Sequence, residues 1–322
     1  MTVSDRLEGT DSREQGFPCG EVYEEGAALL SDLEDGRLDA RLLLEHFCNI
    51  AAHRLLADPD LLVDAAQRSS FLEAVRRRAA REPLAYITGV QSFMGLEFAV
   101  SPDVLIPEQD TENLVEEALR VLEDGSRILD LCTGSGCILL SLLQYSNGCT
   151  GVGTDLSAEA LRTAARNAEA LGLEDRVEWL QGDLFSALEQ GGIRTGIREP
   201  LAEQAESIPA ENGSMGFDLI VSNPPYIPSE VIGTLAPEVR CAEPRLALDG
   251  GEDGLDFYRR IIPEAARHLV IGGRLMLEIG YDQAEQVSEL LREAGYYGIE
   301  ILKDYGGNDR IATAVRSMAQ KL

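Results

Sequence analysis

Apolar residues recur three and four positions apart from about Glu21 to Arg81: Leu29, Leu30 and Leu33, then stretches at 40–48, 61–65 and 71–81. No period-two alternation competes, so this segment predicts a small all-helical domain over 21–82, with Pro83 stopping its last helix. Residues 85–89 and 96–100 flank a turn at Met94-Gly95 and read as a β-hairpin inside a linker, 83–106. From about Thr111 strand and helix patterns alternate. Strands are expected at 127–132, 150–156, 177–183, 217–223, 274–279, 298–303 and 310–315, and helices at 112–123, 137–145, 158–171, 256–268 and 282–294. Such alternation predicts an α/β domain over 107–322, a mostly parallel seven-stranded sheet covered on both faces. The last two strands are joined by six residues, too few for a crossover helix, and should form an antiparallel hairpin at the sheet edge. Two stretches lack periodicity. Residues 1–20 are polar and acidic and read as a disordered tail, and 187–216, rich in Gly, Glu, Pro and Ser, reads as a flexible insertion.

Composition narrows the partners. The chain has 322 residues, enough for two domains, and 44% are hydrophobic. No apolar run reaches the roughly 18 residues that span a bilayer, and the N-terminus has no signal-peptide core, so a cytoplasmic protein with no membrane contact is expected. Six cysteines form no Cys-x-x-Cys pair and the three histidines lie far from them, which argues against a metal site and for reduced thiols. The net charge of −28 opposes binding to naked nucleic acid, whose affinity comes largely from phosphate contacts. It would suit a basic protein partner.

Two motifs carry the chemistry. Residues 130–137, Asp-Leu-Cys-Thr-Gly-Ser-Gly-Cys, follow the first strand of the α/β domain and open a helix. Gly134 and Gly136 permit a sharp turn and close approach to a ligand, and Asp155, ending the next strand, can accept hydrogen bonds from both hydroxyls of a ribose. A dinucleotide fold would carry a third glycine where Leu139 stands, and a phosphate-gripping loop would carry a lysine that is missing. An adenosyl sulfonium cofactor has no phosphate and asks only for close approach, a ribose acceptor and an adenine slot, for which Asp183 and Leu184 are candidates. A tight strand-to-helix turn with no ligand is the plain alternative.

The second motif is Asn223-Pro224-Pro225-Tyr226, which closes the apolar strand starting at Phe217. Two prolines forbid sheet continuation, and ligands of open α/β sheets bind at the carboxyl ends of strands. The motif suits methylation of an amide or aryl amine nitrogen, whose lone pair is delocalised. Asn223 Oδ1 and the Pro224 carbonyl can each accept one N–H and aim the nitrogen at a methyl donor, while Tyr226 packs against the planar group. By itself the motif does not choose between an amide and a nucleobase, and a Pro-Pro turn with an Asn cap remains the bland alternative.

Beyond these motifs, ordered blocks resemble the protein-(glutamine-N5) methyltransferases of the PrmC (HemK) type, which modify peptide chain release factors. The blocks are residues 81–89, 104–107 with Asp110-Thr111-Glu112, 130–136, 223–226, Glu243-Pro244-Arg245 with Gly250-Gly251, Glu278-Ile279-Gly280 with Gln283, and Asp309-Arg310. The resemblance covers roughly 21–316. It implies an N-terminal helical domain that docks the substrate, a hairpin linker and a class I S-adenosylmethionine-dependent methyltransferase domain of Rossmann-like form. It further implies that Cys132, Thr133, Gly134, Ser135, Gly136, Asp155, Asp183, Leu184 and Asn223 contact S-adenosylmethionine. Asn223, Pro224, Pro225 and Tyr226 would hold the Gln of the Gly-Gly-Gln motif in class I release factors. A monomer acting on protein and not directly on nucleic acid is expected; base methylation in DNA or RNA and a non-catalytic binding module are the alternatives. Glu108 and Gln109 follow Pro107 where the family usually has arginine next, a reversal of charge beside the expected site.

Overall fold

The computed structural model describes residues 16–189, 194–195 and 216–318. The chain divides into two compact units, residues 1–88 and 89–322. The first runs β1 (Phe17–Pro18), α1 (Cys19–Leu29), α2 (Gly36–Cys48), α3 (Ala52–Ala57), β2 (Leu62–Val63), α4 (Ala65–Ala79) and α5 (Leu84–Thr88). Helical periodicity buries one stripe of each long helix: Val22 and Ala27, then Ala40, Leu43 and Leu44, then Phe71, Leu72 and Val75. Asp64 caps α4 through its side chain, and Gln67 returns a bond to the Asp64 amide.

Three expectations change here. Residues 17–20 do not belong to a disordered tail, because Phe17 and Pro18 pair antiparallel with Val63 and Leu62 and α1 starts at Cys19; the rest of the expected tail, save Gly16, lies outside the described residues. A two-residue ladder is too short to leave a hydropathy signature. By the same pairing, 61–64 is not helical, and α4 starts at Ala65. Finally, residues 85–89 are not a hairpin strand, since α5 occupies Leu84–Thr88 and the Pro83 carbonyl accepts the Tyr86 and Ile87 amides at its start. Proline suits the entry to a helix, which the strand-like Ala-Tyr-Ile-Thr composition obscured. The expected linker 83–106 is thus divided by the unit boundary.

The second unit begins with the hairpin itself, β3 (Val90–Phe93) paired with β4 (Leu96–Ala99). Met94 and Gly95, with φ of 52° and 73°, make the left-handed two-residue turn that matches strand twist. Then come α6 (Gln109–Val121), β5 (Arg127–Leu131), α7 (Cys137–Tyr145), β6 (Thr150–Asp155), α8 (Ala158–Leu171), β7 (Val177–Gln181), α9 (Ser186–Glu189) and β8 (Arg194–Thr195). The chain continues through β9 (Phe217–Ser222), α10 (Pro237–Ala242), α11 (Arg245–Leu248), α12 (Asp256–His268), β10 (Leu269–Glu278), α13 (Ala284–Glu293), β11 (Tyr297–Lys303) and β12 (Asp309–Val315). Strand order is β11-β12-β10-β9-β5-β6-β7-β8, with β10, β9, β5, β6 and β7 parallel. β12 runs antiparallel to both β10 and β11, which is the expected edge hairpin. The seven expected strands are present, and β8 adds a two-residue antiparallel partner for β7. Apart from α9 and β8, the stretch read as an insertion over 187–216 lies outside the described residues, save Gly216.

Alternation along the strands covers both faces. Leu129, Leu131, Ile220, Leu275 and Leu277 belong to one apolar cluster, while Ile128, Leu219, Val221 and Met276 belong to the other. From β5 the chain moves outward through β6 and β7 in one direction and through β9 and β10 in the other. The switch point between β5 and β9 opens a crevice at their carboxyl ends.

Candidate active site

At that crevice lies a cavity of about 340 Å³, all of whose lining belongs to the second unit. The glycine loop forms its floor. β5 ends one residue earlier than expected, because Cys132 takes a left-handed φ of 58°; Gly134 and Gly136 follow at 57° and 80°. Leu184, beyond β7, is left-handed as well, at 53°. Non-glycine residues in this region carry strain of order 1–3 kcal/mol, and both stand on the cavity wall. The loop is pinned from beneath. Thr133 donates its amide to the Thr154 carbonyl (3.0 Å) and its hydroxyl to Asp130 Oδ2 (2.5 Å). Burial pushes the Asp130 carboxyl up to about 7, against the Thr133 hydrogen bond. A Cβ on Gly136 would stand 2.9 Å from Trp179, so the helix start can pack there only without a side chain.

Asp155 ends β6 with its carboxylate fixed: Oδ2 accepts the Gly134 amide (2.9 Å) and Oδ1 the Ser157 amide (2.8 Å). Burial raises its pKa and these amide bonds oppose the rise. Asp183 is tied to Arg260 at 2.6 Å, and Leu184 sits beside it. Of the residues expected to meet a cofactor, Cys132, Thr133, Gly134, Ser135, Asp155, Asp183, Leu184 and Asn223 line the cavity. Gly136 caps α7 and backs onto Trp179 instead.

Asn223 stands immediately after β9, where the prolines end the strand, and lines the cavity together with Pro225. Pro224 and Tyr226 are not part of that lining. Asn223 Nδ2 donates to Thr111 Oγ1 (3.2 Å). Tyr226 Oη donates to Glu278 Oε1 (3.2 Å). Glu278 is 1% exposed, and burial pushes its carboxyl up to about 7, with the Glu108 charge adding to the rise and Thr111, Arg310 and Tyr226 lowering it. Behind the motif, buried Gln283 donates Nε2 to the carbonyls of Tyr226 (3.0 Å) and Gly254 (3.3 Å). Its Oε1 accepts the Gly280 amide (2.9 Å) and the Tyr258 hydroxyl (3.4 Å). Arg310 bonds Asp110 (2.9 Å) and Asp304 (3.2 Å). On the cavity lining, partial desolvation and the nearby Asp110 hold the exposed Glu108 carboxyl above its ordinary value; burial and the Glu108 charge push neighbouring Glu243 up to about 7.

Residue-by-residue reading of the chain gave Thr111, Glu278 and Gln283 no part in the site. They stood only within blocks of the resemblance, and their side chains reach Asn223 and Tyr226 from 112, 52 and 57 positions away. Only the spatial network shows what they do.

Comparison with known proteins agrees with this architecture. Residues 21–89 match the family model of the PrmC N-terminal domain, and 128–192 match a methyltransferase domain. A release factor glutamine methyltransferase of Moorella thermoacetica is 44% identical over 287 residues, covering 88% of this chain and 93% of the relative. Its counterpart in Caulobacter vibrioides is 39% identical over 287 residues, covering 88% and 91%. This chain belongs to the release factor glutamine methyltransferase family. A solved structure of a release factor-specific protein-(glutamine-N5) methyltransferase from Alicyclobacillus acidocaldarius is 31% identical, covers 68% of this chain and 99% of its own, and has a TM-score of 0.38.

The methyl donor of a release factor glutamine methyltransferase domain is S-adenosylmethionine, and the cavity has the chemistry it requires. Asp155 and Asp183 present carboxylates, Ile106, Ile138, Leu156 and Phe257 supply apolar walls, and the lining arginine, Arg260, is already paired with Asp183. A phosphate-bearing ligand would meet that carboxylate-rich lining without a free cation among the described residues; a cationic sulfonium meets attraction. No helix among the described residues is long and apolar enough to cross a membrane.

Proposed function

We propose that this chain methylates the side-chain amide nitrogen, N5, of a glutamine, that of the Gly-Gly-Gln motif in class I peptide chain release factors. The anchored amide of Asn223 carries the reading: Nδ2 is committed to Thr111, which leaves Oδ1 as the free end of a side chain that lines the cavity. An acceptor fixed there matches the N–H of a primary amide. The Pro224 carbonyl, which accepts no hydrogen bond from a described residue, takes the second N–H, and Pro225 and Tyr226 bound the planar group. Cys132 to Gly136, Asp155, Asp183 and Leu184 hold the cofactor, with Asp155 on the ribose and Leu184 against the adenine. When bound, S-adenosylmethionine supplies an electrophilic methyl group. Asn223 and the Pro224 carbonyl would hold the substrate N–H groups so that the nitrogen faces that methyl group, and the proton lost from the nitrogen would pass to water, so no strong base is needed.

The partner is a protein, met by a monomer in the cytoplasm, with the helical unit as its docking element. Glu108 on the cavity lining and the charged groups around it favour this over a nucleobase. Glu108, Asp110 and Glu243 are carboxyls, and Arg310 is spent on Asp110 and Asp304. A nucleic acid would bring phosphates to those carboxyls. The test incubates the protein with labelled cofactor and a release factor carrying Gly-Gly-Gln or Gly-Gly-Ala. Label confined to the Gln form is the expected result; equal labelling of both would sink the proposal.

A further inference from the structure

Asn167 stands on α8 beside buried Ala164 and Ala168, is itself 2% exposed, and is not part of the cavity lining. A buried primary amide must find partners for its oxygen and its N–H₂ group. Asn167 finds them outside its own helix. Its Oδ1 accepts the Ala99 amide (2.8 Å), and Nδ2 donates to the Ala99 carbonyl (3.1 Å) and to the Ser135 carbonyl (2.8 Å). The side chain thus pairs with Ala99 through both peptide groups, as a neighbouring strand would, and ties the end of β4 to the glycine loop.

Both tied places lead to the cavity. Ser135 lines it directly. From Ala99 the chain enters Pro102–Glu108, a stretch without helix or strand in which every residue lines the cavity. Its first turn closes with the Val104 amide on the Ser101 carbonyl (3.0 Å), and near its far end Gln91 of β3 donates Nε2 to the Pro107 carbonyl (3.1 Å). A segment with no ladder of its own keeps its place through such holds. We infer that Asn167 is a positioning residue for the cofactor: it hangs the 102–108 strap and the glycine loop from one helix, so that two walls of the cavity keep a fixed spacing before the cofactor arrives. The inference rests on the reading of this cavity as the S-adenosylmethionine site.

A packing role alone has different consequences. Leu161 lies on the same helix, is 1% exposed and is likewise outside the lining, yet as an apolar side chain it bonds neither wall. Its truncation weakens the fold and leaves the walls tied. Loss of Asn167 instead leaves the walls in place in only a fraction of molecules, and apparent Kd rises by the inverse of that fraction. Turnover with saturating cofactor is largely spared.

The experiment measures Kd by calorimetry with S-adenosylhomocysteine, which has no methyl group to transfer. Asn167→Ala should raise Kd about tenfold, as for walls in place a tenth of the time. Asn167→Asp keeps an acceptor for the Ala99 amide but loses the N–H₂ group, and should raise Kd as well. Both should keep kcat at saturating cofactor within a few-fold. Leu161→Ala should lower stability and leave Kd unchanged. Without ligand, amides of 99–108 and 134–136 should exchange hydrogen faster in Asn167→Ala than in the wild type or Leu161→Ala. Gln91→Ala, at a partly exposed position, should raise Kd by a smaller factor. If the Asn167 variants do not fold, a wild-type Kd in Gln91→Ala overturns the inference. Where they fold, a wild-type Kd in Asn167→Ala, or an equal rise in Leu161→Ala, overturns it alone, provided that Asp155→Ala still weakens binding. Wild-type Kd in both Asp155→Ala and Asn167→Ala overturns the reading of the cavity and this inference with it.

Discussion

Asn223 and Asp155 sit on one cavity wall and do different work, and kinetics can separate them. In the proposed reading Asn223 directs its free oxygen to the substrate nitrogen, so Asn223→Ala should lower kcat about 100-fold or more and leave cofactor affinity within a few-fold. Asp155 holds the loop amide of Gly134 and lines the cavity proposed to take the cofactor, so Asp155→Ala should weaken calorimetric cofactor binding about tenfold or more, the scale of a lost charge-assisted hydrogen bond. The reverse pattern would exchange the roles. Both residues were legible in the sequence because each stands at the end of an expected strand with a polar side chain of the right chemistry. Thr111 and Glu278 were not, since a residue that acts by touching another from 112 or 52 positions away leaves no local pattern. Asp130 read as a member of the glycine loop, but its burial was hidden. Its folded pKa, about 7, lies above the ordinary 3.8, so the folded chain holds the proton more tightly than the unfolded one. Its contribution to stability is therefore fullest below pH 3.8 and is lost as pH rises to about 7, on the order of 4 kcal/mol by linkage. Denaturation of wild type and Asp130→Asn across that window should show the slope in the first and its loss in the second.

Elements with long periodic patterns were read from the chain almost to the residue: α7, α8 and α12 begin and end where periodicity placed them. Ser157 caps α8 through its side chain and left-handed Gly172 closes it, so local chemistry marks both ends. Short elements escaped because tertiary pairing makes them. β1 exists only against β2, and α5 wears a strand-like composition on a helical turn. The Asn-Pro-Pro-Tyr turn is likewise not self-sufficient. Prolines stop β9 but do not hold the turn beyond it; Gln283, just before α13, ties that turn to the Gly254 loop and to the end of β10. Gln283→Leu leaves the Tyr226 and Gly254 carbonyls and the Gly280 amide without their partner in a buried site. At about 1 kcal/mol or more per unmet group, the loss should be about 2–4 kcal/mol by chemical denaturation. It should also lower kcat, since the same turn carries Asn223. A variant as stable as the wild type would show that water replaces the clamp.

Charge acts at the scale of the whole molecule. A net charge of −28 cannot be assigned to any one site, yet it adds to the local field of Glu108 on the cavity lining and of its neighbours Asp110 and Glu243. Like signs at both scales repel an approaching polyanion and attract a cationic protein surface, and the effect is on encounter rather than on the chemical step. Salt screens exposed charges over about 10 Å at moderate ionic strength, whereas the buried Asn223–Thr111 and Tyr226–Glu278 hydrogen bonds lie beyond its reach. The two contributions should therefore separate in one titration. Raising ionic strength from low to well above physiological should raise KM for the release factor about tenfold while kcat holds. Free polyanions such as heparin or duplex DNA should compete weakly, because the same field excludes them. If salt lowered kcat and left KM unchanged, the acidic surface would be irrelevant to partner capture, and its charge would serve solubility alone.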